Sequence, residues 1–301
     1  MTSYHGGKQK IGKDISKAIC NYITNTSYSP QGYCEPFCGM LGVYRHIYNC
    51  SFLKNNTTNE SRKASFSVGK EGSPLSERRA VKGVYAPLYS EAYTPKGLYL
   101  AGDYNESLIL MWKKAQKGWK PPTECSEDRY NRLKKTKKPS AEKGFIGHQY
   151  SYGGQYFKGY RGKYGNKRTY KKASENVSDI ANLLRKVKYK NGSYDQFSKL
   201  KNFIIYCDPP YSGAYTPNGL YKDNKSSYYF DEENNRLSFD HLEFWKWCLK
   251  MSKNNIIFVS EYKCPIKDNR IKKIFQKQVN LTGASPTNRK RVEKLYVISD
   301  L

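Results

Sequence analysis

Apolar positions along this chain recur with two different periods. Ile11, Ile15, Ala18, Ile19, Tyr22 and Ile23 begin with the i, i+4, i+7, i+8 spacing of one helical face. By contrast, residues 203–207 (Phe-Ile-Ile-Tyr-Cys) and 255–260 (Asn-Ile-Ile-Phe-Val-Ser) are short, almost uninterrupted apolar runs. Runs of that length predict strands buried on both faces of a parallel sheet. Further strands are predicted at 32–37, 99–103 and 293–298, and helices at 40–48 and from Ser107 to Trp112. Ile180, Leu183, Leu184 and Val187 predict another helix. Ser238 is the expected N-cap of a helix over 239–252. On that helix His241, Leu242, Trp245, Leu249 and Ser252 share a face, widened by Phe244, Trp247, Cys248 and Met251. Strands alternating with helices predict an α/β fold. Residues 51–97 break the pattern: they are rich in Ser, Asn, Thr, Gly and Lys and read as an inserted loop. Residues 113–200 read as a second region.

Length and composition narrow the picture. The 301 residues suffice for one large α/β domain and a smaller module, and 38% apolar content allows a real core. Charge is the outlier: 53 Lys and Arg against 26 Asp and Glu give +27, which points to a polyanionic partner. No apolar run approaches the ~20 residues that cross a bilayer, and the N-terminus lacks a signal-peptide core. Nucleic acid is therefore the expected partner, no membrane is expected, and the expected location is intracellular rather than secreted. The eight cysteines form no CxxC pair, and the CxxxC of Cys34 and Cys38 has no second ligand pair at zinc spacing. No metal is expected, and the thiols are expected to be reduced.

The excess charge is concentrated. Residues 134–172 hold 12 Lys and Arg, one acid (Glu142), six Tyr and seven Gly. Tyrosines such as Tyr150 and Tyr152, interleaved with Lys158, Arg161, Lys163, Lys167 and Arg168, suit rings against sugars and bases and cations against phosphates. A flexible basic linker is the plainer alternative.

Three segments carry candidate chemistry. After the 203–207 strand, Asp208-Pro209-Pro210-Tyr211 fixes a carboxylate, a prolyl carbonyl and a ring at the carboxyl end of a strand. Open α/β sheets bind ligands there. Two acceptors beside a ring suit a planar heterocycle with an exocyclic amino group; a proline turn with a surface tyrosine is the simpler reading. Glu35-Pro36-Phe37-Cys38-Gly39 lies at a strand-to-helix turn, where Gly39 and Gly42 let a ligand approach the backbone. Its spacing matches neither GxGxxG nor a phosphate-binding loop. Asp103 ends the next strand, where an acid bonds ribose hydroxyls or caps the following helix.

In their order along the chain these segments resemble the Dam-type (D12 class, group alpha) family of S-adenosylmethionine-dependent DNA adenine-N6 methyltransferases. Tyr4-His5-Gly6-Gly7-Lys8 resembles the family's N-terminal cofactor motif, and residues 35–39 its EPFxG motif. Residues 100–105 resemble the stretch with the ribose-binding acid, and Asp208-Pro209-Pro210-Tyr211 the catalytic motif. Residues 258–262 and 289–295 resemble later strand motifs. Two departures stand out. Leu41 occupies a position where the family usually has Gly, and the insertion 51–97 lengthens the path to Asp103.

The resemblance implies a Rossmann-like class I methyltransferase sheet with helices on both faces. Residues 1–112 and 201–301 would form the catalytic domain, and 113–200 a small basic target-recognition domain. It implies S-adenosylmethionine held by Tyr4, His5, Gly6, Gly7, Lys8, Glu35, Pro36, Phe37, Cys38, Gly39, Asp103, Tyr104 and Asp208. Asp208, Pro209, Pro210 and Tyr211 would be catalytic. The implied partner is double-stranded DNA with a short recognition sequence, the implied assembly a monomer or weak dimer, and no metal is needed. Methylation of RNA adenine or of cytosine N4, and a non-catalytic DNA-binding role on the same scaffold, stay open as alternatives.

Overall fold

The computed structural model describes residues 7–47, 97–162, 167–211, 226–230, 236–280 and 290–300. Its strands are β1 (Gly32–Glu35), β2 (Leu98–Asp103), β3 (Lys188–Asn191), β4 (Phe203–Cys207), β5 (Ser226–Phe230), β6 (Arg236–Asp240), β7 (Ile256–Glu261), β8 (Ile271–Asn280) and β9 (Lys290–Ile298). Seven of them form one sheet in the order β3-β2-β1-β4-β7-β9-β8, and β5 and β6 pair separately as an antiparallel ribbon. The first five strands of the sheet are parallel. Strand β9 runs antiparallel to both neighbours. The chain moves outward from β1 to β2 and β3, then returns to β4 and moves outward the other way to β7. The reversal between β1 and β4 is a topological switch point, where a doubly wound sheet opens a crevice at the strands' carboxyl ends.

Alternation along each strand divides the core between the two faces. Tyr33, Tyr99, Ala101, Ile204, Tyr206, Ile256, Phe258, Leu295 and Val297 belong to one buried cluster. Their strand neighbours Cys34, Leu100, Ile205, Cys207, Ile257, Val259 and Ile298 belong to the other. The helices are α1 (Gly12–Thr24), α2 (Tyr44–Ile47), α3 (Glu106–Ala115), α4 (Glu127–Lys135), α5 (Ala141–Gln149), α6 (Lys167–Leu183) and α7 (His241–Met251). The first six contribute buried side chains to the first cluster, and α7 contributes to the second. The expected Rossmann-like methyltransferase sheet, with helices on both faces, is present.

Several local expectations change. Ser238 lies inside β6, and Asp240 caps α7 instead, its carboxylate accepting from the backbone N–H of Glu243 at 3.0 Å. Leu242, expected on the packed face of α7, is 48% exposed. The expected helix at 40–48 is reduced to the single turn α2 among the described residues. Cys20 is in a disulfide, so the expectation of reduced thiols fails for it. The remaining described cysteines are free.

The basic region is folded rather than a flexible linker. Helix α5 packs on α3, and Tyr130, Phe145, Phe157 and Tyr170 are buried in the same cluster as the sheet's own side chains. The Tyr130 hydroxyl lies 2.8 Å from Ser151 Oγ and accepts from the Gly159 N–H at 3.2 Å. The Tyr160 hydroxyl donates to the Cys125 carbonyl at 2.6 Å. Residues 188–191 leave the region and join the main sheet as its edge strand, parallel to β2.

Candidate active site at the carboxyl edge of the sheet

The turn after β1 is built around two left-handed residues. Gly39 has φ 45°, and Leu41 has φ 54°. Glycine takes this conformation freely, whereas a leucine is strained by about 1–3 kcal/mol. Burial is what holds Leu41 there: its side chain is fully enclosed, and covering a leucine contributes about 1.5–3 kcal/mol. The departure from the family pattern is thus a leucine in a glycine-type conformation. The turn is clamped to β2, because the Cys38 N–H donates to the Gly102 carbonyl at 2.7 Å. The Gly39 N–H donates to Asp103 Oδ2 at 3.0 Å, and the Asn105 N–H to Asp103 Oδ1 at 3.0 Å. Asn105, not Asp103, caps α3, its side-chain oxygen accepting from the Leu108 N–H at 2.8 Å. Trp112 of α3 closes the turn from below, donating to the Gly39 carbonyl at 3.0 Å.

Glu35, the last residue of β1, is 2% exposed and accepts a hydrogen bond from the Tyr33 hydroxyl at 2.8 Å. Burial pushes its carboxyl well above the usual range; the Tyr33 bond opposes the shift and Asp208 adds to it. Pro36 and Cys38 are buried, Phe37 is half-buried and turned to the other face against Phe239 and Phe244, and Tyr104 is 45% exposed. The end of β2 thus carries a carboxylate fixed by two backbone N–H groups, and the end of β1 a buried carboxyl. These two groups are of the kind that would hold S-adenosylmethionine: Asp103 could accept from a diol and Glu35 could face an ammonium.

Asp208, at the end of β4, stands across the switch point from this turn. Lys8 reaches it from the segment before α1, with Nζ 2.7 Å from Asp208 Oδ1 and 3.3 Å from Glu293 Oε1. The lysine and glutamate side chains are 6% and 5% exposed, whereas that of Asp208 keeps 18% of its surface open. The Lys8 ammonium also lies over the Tyr211 ring, 4.5 Å from its centroid. The Tyr211 hydroxyl donates to Glu293 Oε1, and its ring meets Tyr262 edge-on with centroids 4.6 Å apart. Burial pushes Asp208 up to about 6; the Lys8 charge pulls it down and Glu293 pushes it further up. Burial alone would lower Lys8, but attraction to the two carboxylates outweighs it and leaves the ammonium above its ordinary value.

The remaining expected site residues divide. Tyr4, His5, Gly6 and Lys163 lie outside the described residues, and of Lys167 only the backbone at the start of α6 is described. Gly7 is half-buried, and Lys8 is brought to the corner against the Asp208 carboxylate. Lys158 and Arg168 are exposed, Arg161 is half-buried, and Tyr152 is 47% exposed. Tyr150 is a correction: it is 1% exposed, its ring stacked on Tyr170 with centroids 3.9 Å apart, so it serves the core and presents no face to a ligand. Sequence reading did not single out Glu293, although the stretch 289–295 around it matched a family motif. Among the described residues no group of three or more His, Cys, Asp or Glu side chains is placed to hold a metal. No helix among them is long and apolar enough to cross a membrane.

No curated protein sequence matches the chain. Two solved structures of the rRNA methyltransferase aviRa from Streptomyces viridochromogenes, at 1.5 and 2.4 Å, resemble it at 7% identity and a TM-score of 0.35. Each match covers 95% of this chain and 84% of the other, a likeness too slight to bear on substrate. The model of the D12 class N6 adenine-specific DNA methyltransferases matches residues 144–298, a span that contains β4, the Asp208 corner and Glu293. The chain belongs to the D12 class N6 adenine-specific DNA methyltransferase family.

Proposed function

We propose that this protein transfers a methyl group from S-adenosylmethionine to N6 of an adenine extruded from double-stranded DNA at a short recognition sequence. The observation that carries the reading is the Asp208 corner itself. A carboxylate pinned through one oxygen by Lys8 stands at the switch point, beside the Tyr211 ring and across from the Gly39 turn. S-adenosylmethionine, when bound, supplies a methyl group activated by a sulfonium.

The chain's own residues have a different task. The adenine N6 lone pair is delocalised into the ring, so the nitrogen is a poor nucleophile. Asp208 and the Pro209 carbonyl accept its two N–H bonds, which favours a pyramidal nitrogen with its lone pair directed outward. Tyr211 stacks on the extruded base, since chemistry at this position requires taking the base out of the duplex. Asp208 need not be a strong base, because the methylated nitrogen is acidic and gives up its proton late. The contribution of these groups is positioning and preorganised charge.

Asp208→Ala is expected to lower methyl transfer by at least about 10²–10³-fold while leaving DNA binding within a fewfold of the parent. Single-turnover transfer of labelled methyl groups and a filter-binding titration read the two quantities. Turnover by the variant near the parent rate sinks the assignment of Asp208. Matched DNA and RNA substrates in the same assay identify the acceptor; methyl groups appearing only on RNA, or only on cytosine, overturn the DNA-adenine reading.

A further inference from the structure

Lys8 and Asp208 already have a part in the reaction described above; Glu293, buried beside them, has none. Glu293 arrives there for a topological reason. Strand β9 is antiparallel to its neighbours, so its first residues reach the edge where the parallel strands end. Alternation then places Glu293 on the same face as Leu295 and Val297, the face that also carries Tyr206. It is 4% exposed, and a buried carboxylate is strongly destabilising unless paired and hydrogen-bonded. Its Oε1 accepts from the Tyr211 hydroxyl and faces Lys8 Nζ at 3.3 Å. One ammonium therefore serves two carboxylates, and one carboxylate oxygen serves both the ammonium and the ring that flanks the catalytic acid.

We propose that Glu293 is a positioning residue for methyl transfer, holding the Tyr211 ring and the Lys8 ammonium in the arrangement that lets Asp208 and Tyr211 receive the base. The role rests on the function proposed above and deepens it at the same site. A ring held by its hydroxyl keeps its face at a fixed angle, and an ammonium shared with Glu293 stays on one oxygen of Asp208. Its like charge also acts directly on Asp208. The groups facing Asp208 are Lys8 before α1, Glu35 of β1, Tyr206 of β4, Tyr211 after β4 and Glu293 of β9. Among them Glu293 raises the proton affinity of Asp208, and Lys8 and the Tyr211 hydroxyl lower it.

The test uses the full chain with three single variants, Glu293→Gln, Glu293→Asp and Tyr211→Phe, and the Gln/Phe double variant. Glu293→Gln keeps the shape and removes the charge. It is expected to lower kcat about ten- to a hundredfold, as a small misplacement does, with KM for S-adenosylmethionine changed less than about twofold. The acid limb of its pH–rate profile should move to lower pH. Glu293→Asp, with the charge kept and the reach shortened, should restore the acid limb but not kcat. The double variant should be little slower than Tyr211→Phe alone, because residues acting as a unit do not add. Independently of activity, the ¹⁵N-lysine NMR signal of the Lys8 ammonium should shift in Glu293→Gln without substrate. Glu293→Gln at the parent kcat, with the acid limb and the ammonium signal unmoved, overturns the role while leaving the function intact. A parent protein that methylates no adenine in either nucleic acid overturns the function on which the role rests.

Discussion

The chemistry of single residues in this site is set by burial more than by their identity. Asp208 illustrates it. An exposed aspartate is ionised throughout the physiological range, but burial lifts this one to about 6 from the ordinary 3.8, with Lys8 opposing the shift and Glu293 adding to it. In the proposed function the form that accepts the N6 hydrogens is the carboxylate, so that reading requires the deprotonated group for activity. We expect kcat/KM to fall about tenfold per pH unit below roughly pH 6 and to level off above it; a profile flat down to pH 4.5 contradicts this. The sign for stability is opposite. A carboxyl whose folded value is raised contributes stability that is full below its unfolded value and is lost as pH rises through about 6. The active form is thus also the less stable one, and Lys8 limits the loss. The acid, the prolines and the ring were legible as a group because Asp-Pro-Pro-Tyr is contiguous. Their link to Lys8 was not, since 200 positions separate Lys8 from Asp208 and only the folded chain brings the two charges to 2.7 Å.

At the scale of elements, close approach explains what periodicity alone does not. Helix α1 begins at Gly12, where the Lys8 carbonyl accepts from both the Ile11 and the Gly12 N–H. A Cβ at Gly12 would overlap the Gly42 carbonyl, so the helix start is pressed directly onto the turn that follows Gly39. Gly→Ala in an ordinary helix stabilises by about 1 kcal/mol. Here we expect Gly12→Ala to destabilise by about 1–3 kcal/mol, the usual range for overpacking, and to weaken cofactor binding. Urea denaturation and calorimetry with S-adenosylmethionine check the two parts, and a stabilised variant would contradict the packing argument. Buried strands were readable because both their faces are apolar, as in β4 and β7. The edge strands were not. Strand β3 buries Tyr189 alone, and β8 interrupts half-buried Ile271, Ile274 and Phe275 with exposed runs of lysine and glutamine. That polarity protects a sheet edge and erases the hydrophobic signal. The cap of α7 was placed two residues early because the β5–β6 ribbon ends on its Asp240, and pairing between strands cannot be read from a helix-capping preference.

For the whole molecule, charge and core act on different questions. The net charge of +27 says nothing about the fold, yet it bears on what the surface attracts. Among the described residues the basic region is fastened to the main sheet by the packing of α5 on α3 and the pairing of β3 with β2. Replacing Lys158, Arg161 and Arg168 together by Gln is expected to weaken DNA binding and to lower the slope of log K against log salt by about 2–3. An unchanged slope means that this surface does not touch phosphate. The sequence by itself determined the alternation of strands and helices, the order of the candidate motifs and the basic, tyrosine-rich insertion, because each depends on residues near one another in the chain. Only the tertiary structure decided that Lys8 and Glu293 share the corner with Asp208, that Tyr150 stacks in the core while Tyr152 faces outward, and that Leu41 takes a left-handed turn. Each of those depends on which distant side chains the sheet order brings together, and strand order is a property of the folded chain rather than of any segment in it.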